Sequence, residues 1–576
     1  MKQRRGKQTL KIAKKLKQTI RAALIPHAGR LYAGHARYAA LRYFKKNTKQ
    51  IIYLATLHKI NNTRETYILH KDTGFRLGKH NFTYTTKREH SFDWVHEELK
   101  DLFPSAKILA LAPNAQVQNL HQWIINYLQS HKNAIFLATV DLIHYGKSFH
   151  NTKYLSYPQQ MNKTIKEESL IKHALAPNTF NNKYISDLMK KDRNLVDGPK
   201  TLEIFLKVMK QMKLQGRVTD YYDSYKSRDP NLLDRYIISM EPVHKLVSYV
   251  SIVYGKKMPS DLLPIDILLA IGLLKSIIIQ KTFRKKYALR LPSWSPLHQM
   301  TNGIFTGTSL GQRTTCSYGT YESDQHSTAD NIRKAAAHCP EDAARRWATP
   351  YTGQNINNSS YKVEFLDPKA HWKTYKGYMA PQQFSNDGSS GILLRLENGR
   401  GATYLPSVFR NNPYWSVEEA MRKLTEKAEG RKLTRKEQDA WKKGVIEIYN
   451  SKSYTWDPQR KQMHIFPTQL YTVKSGQSKT ARIRKKYHKK TKKNAKYDAY
   501  ISHKNMLYPF QLWSAISNVG QTNREFQENR YRIHNHPLFQ LHKYYLYYRP
   551  PAEIYYKSPL HLLPTHHHIY ALHKIF

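Results

Sequence analysis

The sequence predicts an α/β domain over residues 21–255, an α+β domain over residues 261–456 and a basic tail over residues 457–576. A basic arm at residues 1–20 precedes them. Three observations carry this reading. Short apolar runs alternate with helical patterns in the first region. A long apolar stretch opens a second region that mixes helical and strand patterns. Beyond it, charge and aromatic content change abruptly. The length, 576 residues, exceeds one ordinary domain and agrees with several cores.

The elements follow in chain order. The first twenty residues hold eight basic and no acidic side chains. No long apolar run comes before Ile25-Pro26, so they do not form a secretory signal. A solvated basic arm is expected, with a transit-type amphipathic segment as the alternative. Ile51-Ile52-Tyr53-Leu54, Ile108-Leu109-Ala110-Leu111 and Ile135-Phe136-Leu137-Ala138-Thr139-Val140 read as buried strands. Residues 93–102, 117–128, 162–174 and 200–212 read as helices between and after them. Such alternation defines a buried sheet covered by helices. Ligands of such sheets sit beyond the carboxyl ends of the strands.

The longest apolar stretch, residues 262–280, carries Asp266 and Lys275 and has Pro264 near its start. A membrane span would tolerate those charges poorly, so a buried helix is expected and no span. A Gly/Thr/Ser-rich section comes next at 303–320, then an Ala-rich helix through Ala335-Ala336-Ala337. Strand patterns at 361–366, 391–395 and 401–408 and an amphipathic helix at 416–428 complete an α+β pattern.

Net charge is +52, from 94 Lys and Arg against 42 Asp and Glu. The excess is spread along the chain, with 45 basic against 19 acidic residues already over residues 1–260. Such a chain attracts polyanions by counterion release, but charge without a recognition fold does not define a nucleic-acid reader. Two cysteines exclude a disulfide scaffold and a Cys-rich zinc fold, and so few fit a reducing compartment. An intracellular, cytoplasmic location is the expectation.

Polar islands come directly after the strand-like runs. They are Pro26-His27-Ala28-Gly29, Leu57-His58, Asp141-Leu142-Ile143-His144-Tyr145-Gly146 and Val196-Asp197-Gly198, with Glu89-His90-Ser91 opening a helix. Two histidines and one carboxylate on separate loops suffice for Fe(II), Mn or Zn and leave positions open for substrate and oxygen. A further histidine beside a carboxylate suits a general acid or base. With 28 histidines in the chain, ordinary surface or core histidines are the competing reading.

The ordered motifs PHAGxxYxG at 26–34, a strand leading to His58, EHSxD at 89–93, DLIHYG at 141–146 and Asp197-Gly198 before a helix resemble the Memo (mediator of cell motility) family. Tyr222-Asp223-Ser224 and Val247-Ser248-Tyr249-Val250 extend the resemblance over about residues 21–255. It implies a fold like that of class III extradiol dioxygenases, with an iron-binding cleft at the sheet edge. By position it implies His27, His58 and Asp197 as ligands of a divalent metal, most simply Fe(II). It also brings Asp141 and His144 to the cleft, where His144 would act as acid or base, oriented or balanced by Asp141. Asp197 stands where many relatives have cysteine, which shifts metal preference from copper toward harder ions. Ala55-Thr56-Leu57 replaces the usual Gly-Pro-Ser before the second histidine, and the N-terminal segment is shorter. Glu89 and His90 either orient a ligand histidine or simply start a helix with Ser91 as its cap.

Gly303-Ile304-Phe305-Thr306, Cys316–Glu322 (CSYGTYE), Leu405-Pro406-Ser407-Val408, Trp415, Trp441 and Tyr449 resemble the AMMECR family over about residues 261–456. The family's Arg-Gly-Cys-Ile-Gly-Thr hallmark survives only as Gly319-Thr320 with Cys316 nearby. Cys316 is the one candidate thiol nucleophile, with a structural role expected, and Cys339 reads as a bystander. The association of these families implies a radical-SAM-type protein as a possible partner. In the tail, residues 482–496 hold nine basic side chains and no acid, which suits non-specific RNA or DNA binding. His566-His567-His568 is a loose metal-binding run.

Two functions are weighed. One is a metal-dependent redox or oxygenase-like enzyme acting on an unidentified small molecule. The other is a non-catalytic metal-binding or scaffold protein that uses the same cleft for a protein partner, with nucleic-acid binding through the tail.

Overall fold

The structure, a computed structural model, describes residues 20–466 apart from 60, 79, 87, 147–156, 180, 182, 184–185, 188–191, 193–194, 225–244, 257, 259–261, 285–290, 312, 322–325, 348–350, 385–387 and 460–461. The basic arm up to residue 19, the basic run at 482–496, the Tyr-rich end and His566-His567-His568 lie outside the described residues. Two compact units are present. Within the described residues, one runs to Leu269 and takes in Pro292–Trp294; the other takes Ala270–Leu291 and continues from Ser295.

The first unit is a mixed α/β sheet of nine strands: β1 (Ile20–Ile25), β2 (Gln50–Leu54), β3 (Thr66–Lys71), β4 (Phe82–Tyr84), β5 (Lys107–Pro113), β6 (Ala134–Thr139), β7 (His144–Gly146), β8 (Gln215–Asp223) and β9 (Lys245–Gly255). Their order is β4-β3-β5-β2-β6-β1-β9-β7, with β8 paired to β9. The central β5, β2, β6 and β1 are parallel. The helices are α1 (Arg30–Leu41), α2 (His90–Leu102), α3 (Leu120–Ser130), α4 (Tyr157–Leu175) and α5 (Pro199–Gln211).

The central strands are unbroken apolar runs because both faces are covered. Ile51 and Tyr53 pack in one core with Phe92, Val95 and Leu99 of α2. On β6, Phe136 sets its ring 5.2 Å from that of Phe205 of α5. The sequence showed three of these strands as apolar runs. The edge strands β4 and β7 escaped because each is only three residues long, and β3 because it is mostly half-buried.

Strand order places the site. β6 lies between β1 and β2, with Ile25 opposite Thr139 and Leu54 opposite Ala138. The chain therefore leaves three adjacent parallel strands at one level. The next few residues on each are His27, His58 and the pair Asp141 and His144.

One helix cap is corrected. Glu89, not Ser91, is the N-cap of α2, and its carboxylate accepts the Ser91 N–H. Ser91 is fully buried and its hydroxyl donates to the Thr56 carbonyl at 2.7 Å, so it ties the helix to the end of β2.

The apolar stretch at 262–280 forms a helix, Pro264–Phe283, buried along most of its length. Asp266 accepts the Leu263 N–H at 2.8 Å and pairs with Arg217 at 2.7 Å, so this buried charge is both bonded and neutralised. Among the described residues no helix is long and apolar enough to cross a membrane.

The second unit holds two antiparallel sheets. Arg313–Thr320, Ile304–Leu310, Ser360–Leu366, Ser451–Asp457 and Gln462–Phe466 form one in that order. Lys373–Lys376, Val445–Tyr449, Gly391–Arg395 and Gly401–Tyr404 form the other. The Gly/Thr/Ser-rich section forms a hairpin. The strand expected over 401–408 stops at Tyr404, because Pro406 starts the helix Pro406–Asn411. Ser416 caps the amphipathic helix Val417–Glu429, whose Ala420, Met421 and Leu424 are buried.

Cys316 has the structural role expected of it, but the bystander reading of Cys339 is overturned. Cys316 and Cys339 form a disulfide, with Cα atoms 5.2 Å apart and both residues fully buried. The hairpin brings Cys316 beside the start of the helix Cys339–Trp347, a juxtaposition that 23 residues of separation do not reveal. Cys316 is therefore not a free nucleophile and Cys339 is not a bystander. The cysteine-based support for a reducing compartment falls with them. Denatured, non-reduced protein is expected to show no thiol toward a chromogenic disulfide reagent; two thiols per chain would refute the pairing.

Candidate metal centre

His27 lies just beyond β1 and is nearly fully buried. Its main-chain N–H donates to Asp141 Oδ1 at 2.8 Å, which joins the ends of β1 and β6. Arg37 of α1 holds the same loop from behind. Its guanidinium donates to the carbonyls of Pro26 and Ala28, which flank His27. Arg37 is itself fixed by Glu98 of α2, with contacts of 2.6 and 2.8 Å, and Arg30 adds a third at 3.1 Å. Arg37 and Glu98 are both fully buried, so this is a satisfied internal ion pair.

Asp197 enters just before α5. Its Oδ1 accepts the Asp141 N–H at 3.0 Å, and its own N–H donates back to the Asp141 carbonyl at 3.2 Å. Its Oδ2 points into the cluster. Three imidazole Nε2 atoms surround it, from His27 at 2.8 Å, His58 at 3.7 Å and His144 at 4.0 Å. Gly198 allows this approach. A Cβ there would stand 2.3 Å from Thr56 Oγ1 and 3.1 Å from Val140. Gly198→Ala is expected to push Asp197 away and weaken metal binding by roughly tenfold, an effect of the size seen when supporting groups are lost; isothermal titration against Mn(II) checks it.

Glu89 organises the other side. Its Oε1 lies 2.7 Å from His58 Nδ1 and 3.3 Å from His90 Nδ1, and its Oε2 accepts the His58 N–H at 3.2 Å. The rings of His58 and His90 sit 3.8 Å apart, and His27 meets His58 edge-on at 5.0 Å. Half-exposed Trp94 covers His90 at 4.7 Å and marks the solvent side.

Charge follows this packing. Burial lowers His58, but Asp197 and Glu89 outweigh it and push it up to about 9. Burial also opposes a charged His27, yet Asp141 and Asp197 raise it overall. Burial alone would raise Asp197; the facing His27 and His58 instead hold it well below the usual carboxylate range. Asp141 is raised by burial and by Asp197, against the pull of His27. His90 is lowered to about 4 by burial and by His58 and His27. An ion placed among these groups displaces protons and takes over their role of balancing the carboxylates.

The donors fit such an ion. His27 Nε2 and Asp197 Oδ2 are 2.8 Å apart, yet Asp197 Oδ2 has no hydrogen bond of acceptable geometry. His27 Nδ1 is likewise buried without a hydrogen bond. Oxygen and nitrogen thus converge on shared space rather than on each other. Two groups bring three donor atoms within 4.8 Å of one another: His27, His58 and His90, and His27, Asp141 and Asp197.

All five residues singled out from the sequence meet at this edge. Asp141 accepts the His27 main-chain N–H. Sequence reasoning missed the direct place of His90 in the cluster and the supporting role of Arg37 and Glu98. The EHS triplet at 89–91 was a signal for His90. Arg37 and Glu98 carried none, because a charged pair buried between two helices looks like helix surface.

The family comparison supports reading the first unit as a Memo-like α/β domain. Residues 65–232 match the family of Memo-like proteins; this stretch contains Glu89, His90, Asp141, His144 and Asp197, while His27 and His58 precede it. A crystal structure of an uncharacterized protein from Pyrococcus horikoshii also matches, at 16% identity and a TM-score of 0.29, over 34% of this chain and 94% of that one. No curated protein matches the chain.

Proposed function

We propose that the first unit is the metal centre of a metal-dependent oxidoreductase, oxygenase-like in type, with Fe(II) as its ion. The observation that carries this reading is the convergence of His27, His58 and His144 on Asp197 Oδ2. His27, His58 and Asp197 would hold the ion as two imidazoles and one carboxylate. Such an ion supplies Lewis acidity and open positions for substrate and oxygen. His144, partly exposed at the same edge, gives or takes the proton of the substrate. Asp141 holds the His27 main chain and supplies negative charge that balances a protonated imidazole. Glu89 orients His58 through Nδ1 and leaves Nε2 to the ion.

The proposal extends to the rest of the chain. The first unit takes the dioxygenase-like fold class. The second takes the AMMECR-like domain expected over residues 261–456, its five-stranded sheet running on to Phe466, and serves a partner rather than thiol chemistry. The basic tail adds non-specific attraction to RNA or DNA, and an intracellular location accords with this assignment.

The test is metal content of tag-free protein produced with iron and kept anaerobic, followed by a search for oxygen-dependent turnover. Iron near one per chain, with turnover that His144→Ala removes while iron stays, supports the enzyme. Iron without turnover favours a binding or scaffold role. Absence of bound metal removes the proposal.

A further inference from the structure

Two donor sets overlap at His27, and their chemistry differs. His27, His58 and His90 offer imidazole nitrogens alone. His27, Asp141 and Asp197 offer one imidazole and two carboxylates. Imidazole suits borderline ions such as Zn(II); carboxylate oxygen suits harder ions such as Mn(II).

Each set has its own support. Glu89 Oε1 stands behind the Nδ1 atoms of both His58 and His90, at 2.7 and 3.3 Å. A carboxylate in that position fixes ring orientation and raises the basicity of the opposite nitrogen. Asp141 and Asp197 are locked by each other's main chain at 3.0 and 3.2 Å. The two supports share no residue, so Glu89 and the Asp141–Asp197 pair can be altered one at a time, with His27 common to both sets.

We propose that the hardness of the ion selects the donor that completes the site. A borderline ion recruits His90, a harder ion recruits Asp141, and both depend on His27. The inference rests on the metal-centre reading and goes beyond it, because it assigns His90 and Asp141 as alternative ligands. The ion would then be held with His90 or with Asp141, according to the metal supplied.

The experiment is titration of Zn(II) and of Mn(II) into the full chain with His566, His567 and His568 replaced by alanine, so that this run does not report. His90→Ala is expected to weaken Zn(II) by at least about tenfold and leave Mn(II) unchanged. Asp141→Asn, whose amide oxygen still accepts the His27 N–H, is expected to do the reverse. His27→Ala is expected to remove both. His90→Asn and a thermal melt of each variant separate lost ligation from lost folding. Equal losses for both ions in either variant, or no loss in either, would overturn the selection while leaving the metal centre standing. An unsubstituted cluster that binds neither ion would overturn both.

Discussion

Asp197→Ala and His27→Ala are each expected to empty the metal centre, with binding reduced below detection in an anaerobic iron analysis. Asp197 Oδ2 is the atom on which three imidazoles converge. Its removal leaves His27 and His58 without the carboxylate that offsets the charge of a divalent ion. His27 is the residue common to both donor sets, so its loss spares neither. Both substitutions also remove buried charge, and a folding control is needed. Asp197→Asn keeps an oxygen acceptor for the Asp141 N–H but lacks the charge. It is expected to fold like the parent and still to bind metal at least about tenfold more weakly. Metal content unchanged in all three variants would place the ion elsewhere and end the reading.

Glu98→Ala is expected to destabilise the first unit by about 3–5 kcal/mol, because it leaves the buried Arg37 guanidinium without its counter-ion. The melting temperature should fall on the order of 10 °C for a unit of this size. Burial would raise the Glu98 carboxyl, but Arg37 and Arg30 outweigh it and lower it. The stabilisation is therefore present above the ordinary carboxylate pKa and is lost as pH falls through the lowered folded value. Glu98→Gln should show a shallower decline of stability in acid than the parent. The effect also reaches the site, since Arg37 holds the carbonyls on both sides of His27. Arg37→Lys keeps the charge but not the fork, and is expected to weaken metal binding more than its loss of stability alone explains. Chemical denaturation at pH 4 and pH 7, with metal titration at pH 7, checks both halves. Unchanged stability of Glu98→Ala would show that the pair contributes nothing to the fold.

Much of the site was readable before any fold was known, because its residues come directly after apolar runs. His27, His58, Asp141 and His144 stand just after β1, β2 and β6, where open α/β sheets carry their ligands. The helices were readable for a similar reason. Leu202, Phe205, Leu206 and Met209 recur at helical spacing and are all buried in α5. Other features were not. Ser91 has the chemistry of a cap, yet burial against Thr56 gave its hydroxyl another partner. Cys316 and Cys339 are 23 residues apart, and only the fold of hairpin on helix brings their sulfurs together.

The sequence by itself determined that this chain builds a buried parallel core and which residues emerge from its strand ends. Those properties are local; they depend on the spacing of apolar side chains and on the polar residues next to them. Tertiary structure alone decided which emerging residues meet. It inserted β6 between β1 and β2, turned Glu89 behind two imidazoles and buried Arg37 against Glu98. The physical reason is that convergence depends on strand order and on side-chain direction across separations from 31 residues, between His58 and Glu89, to 170, between His27 and Asp197 (197 − 27). Spacing in sequence carries no record of either.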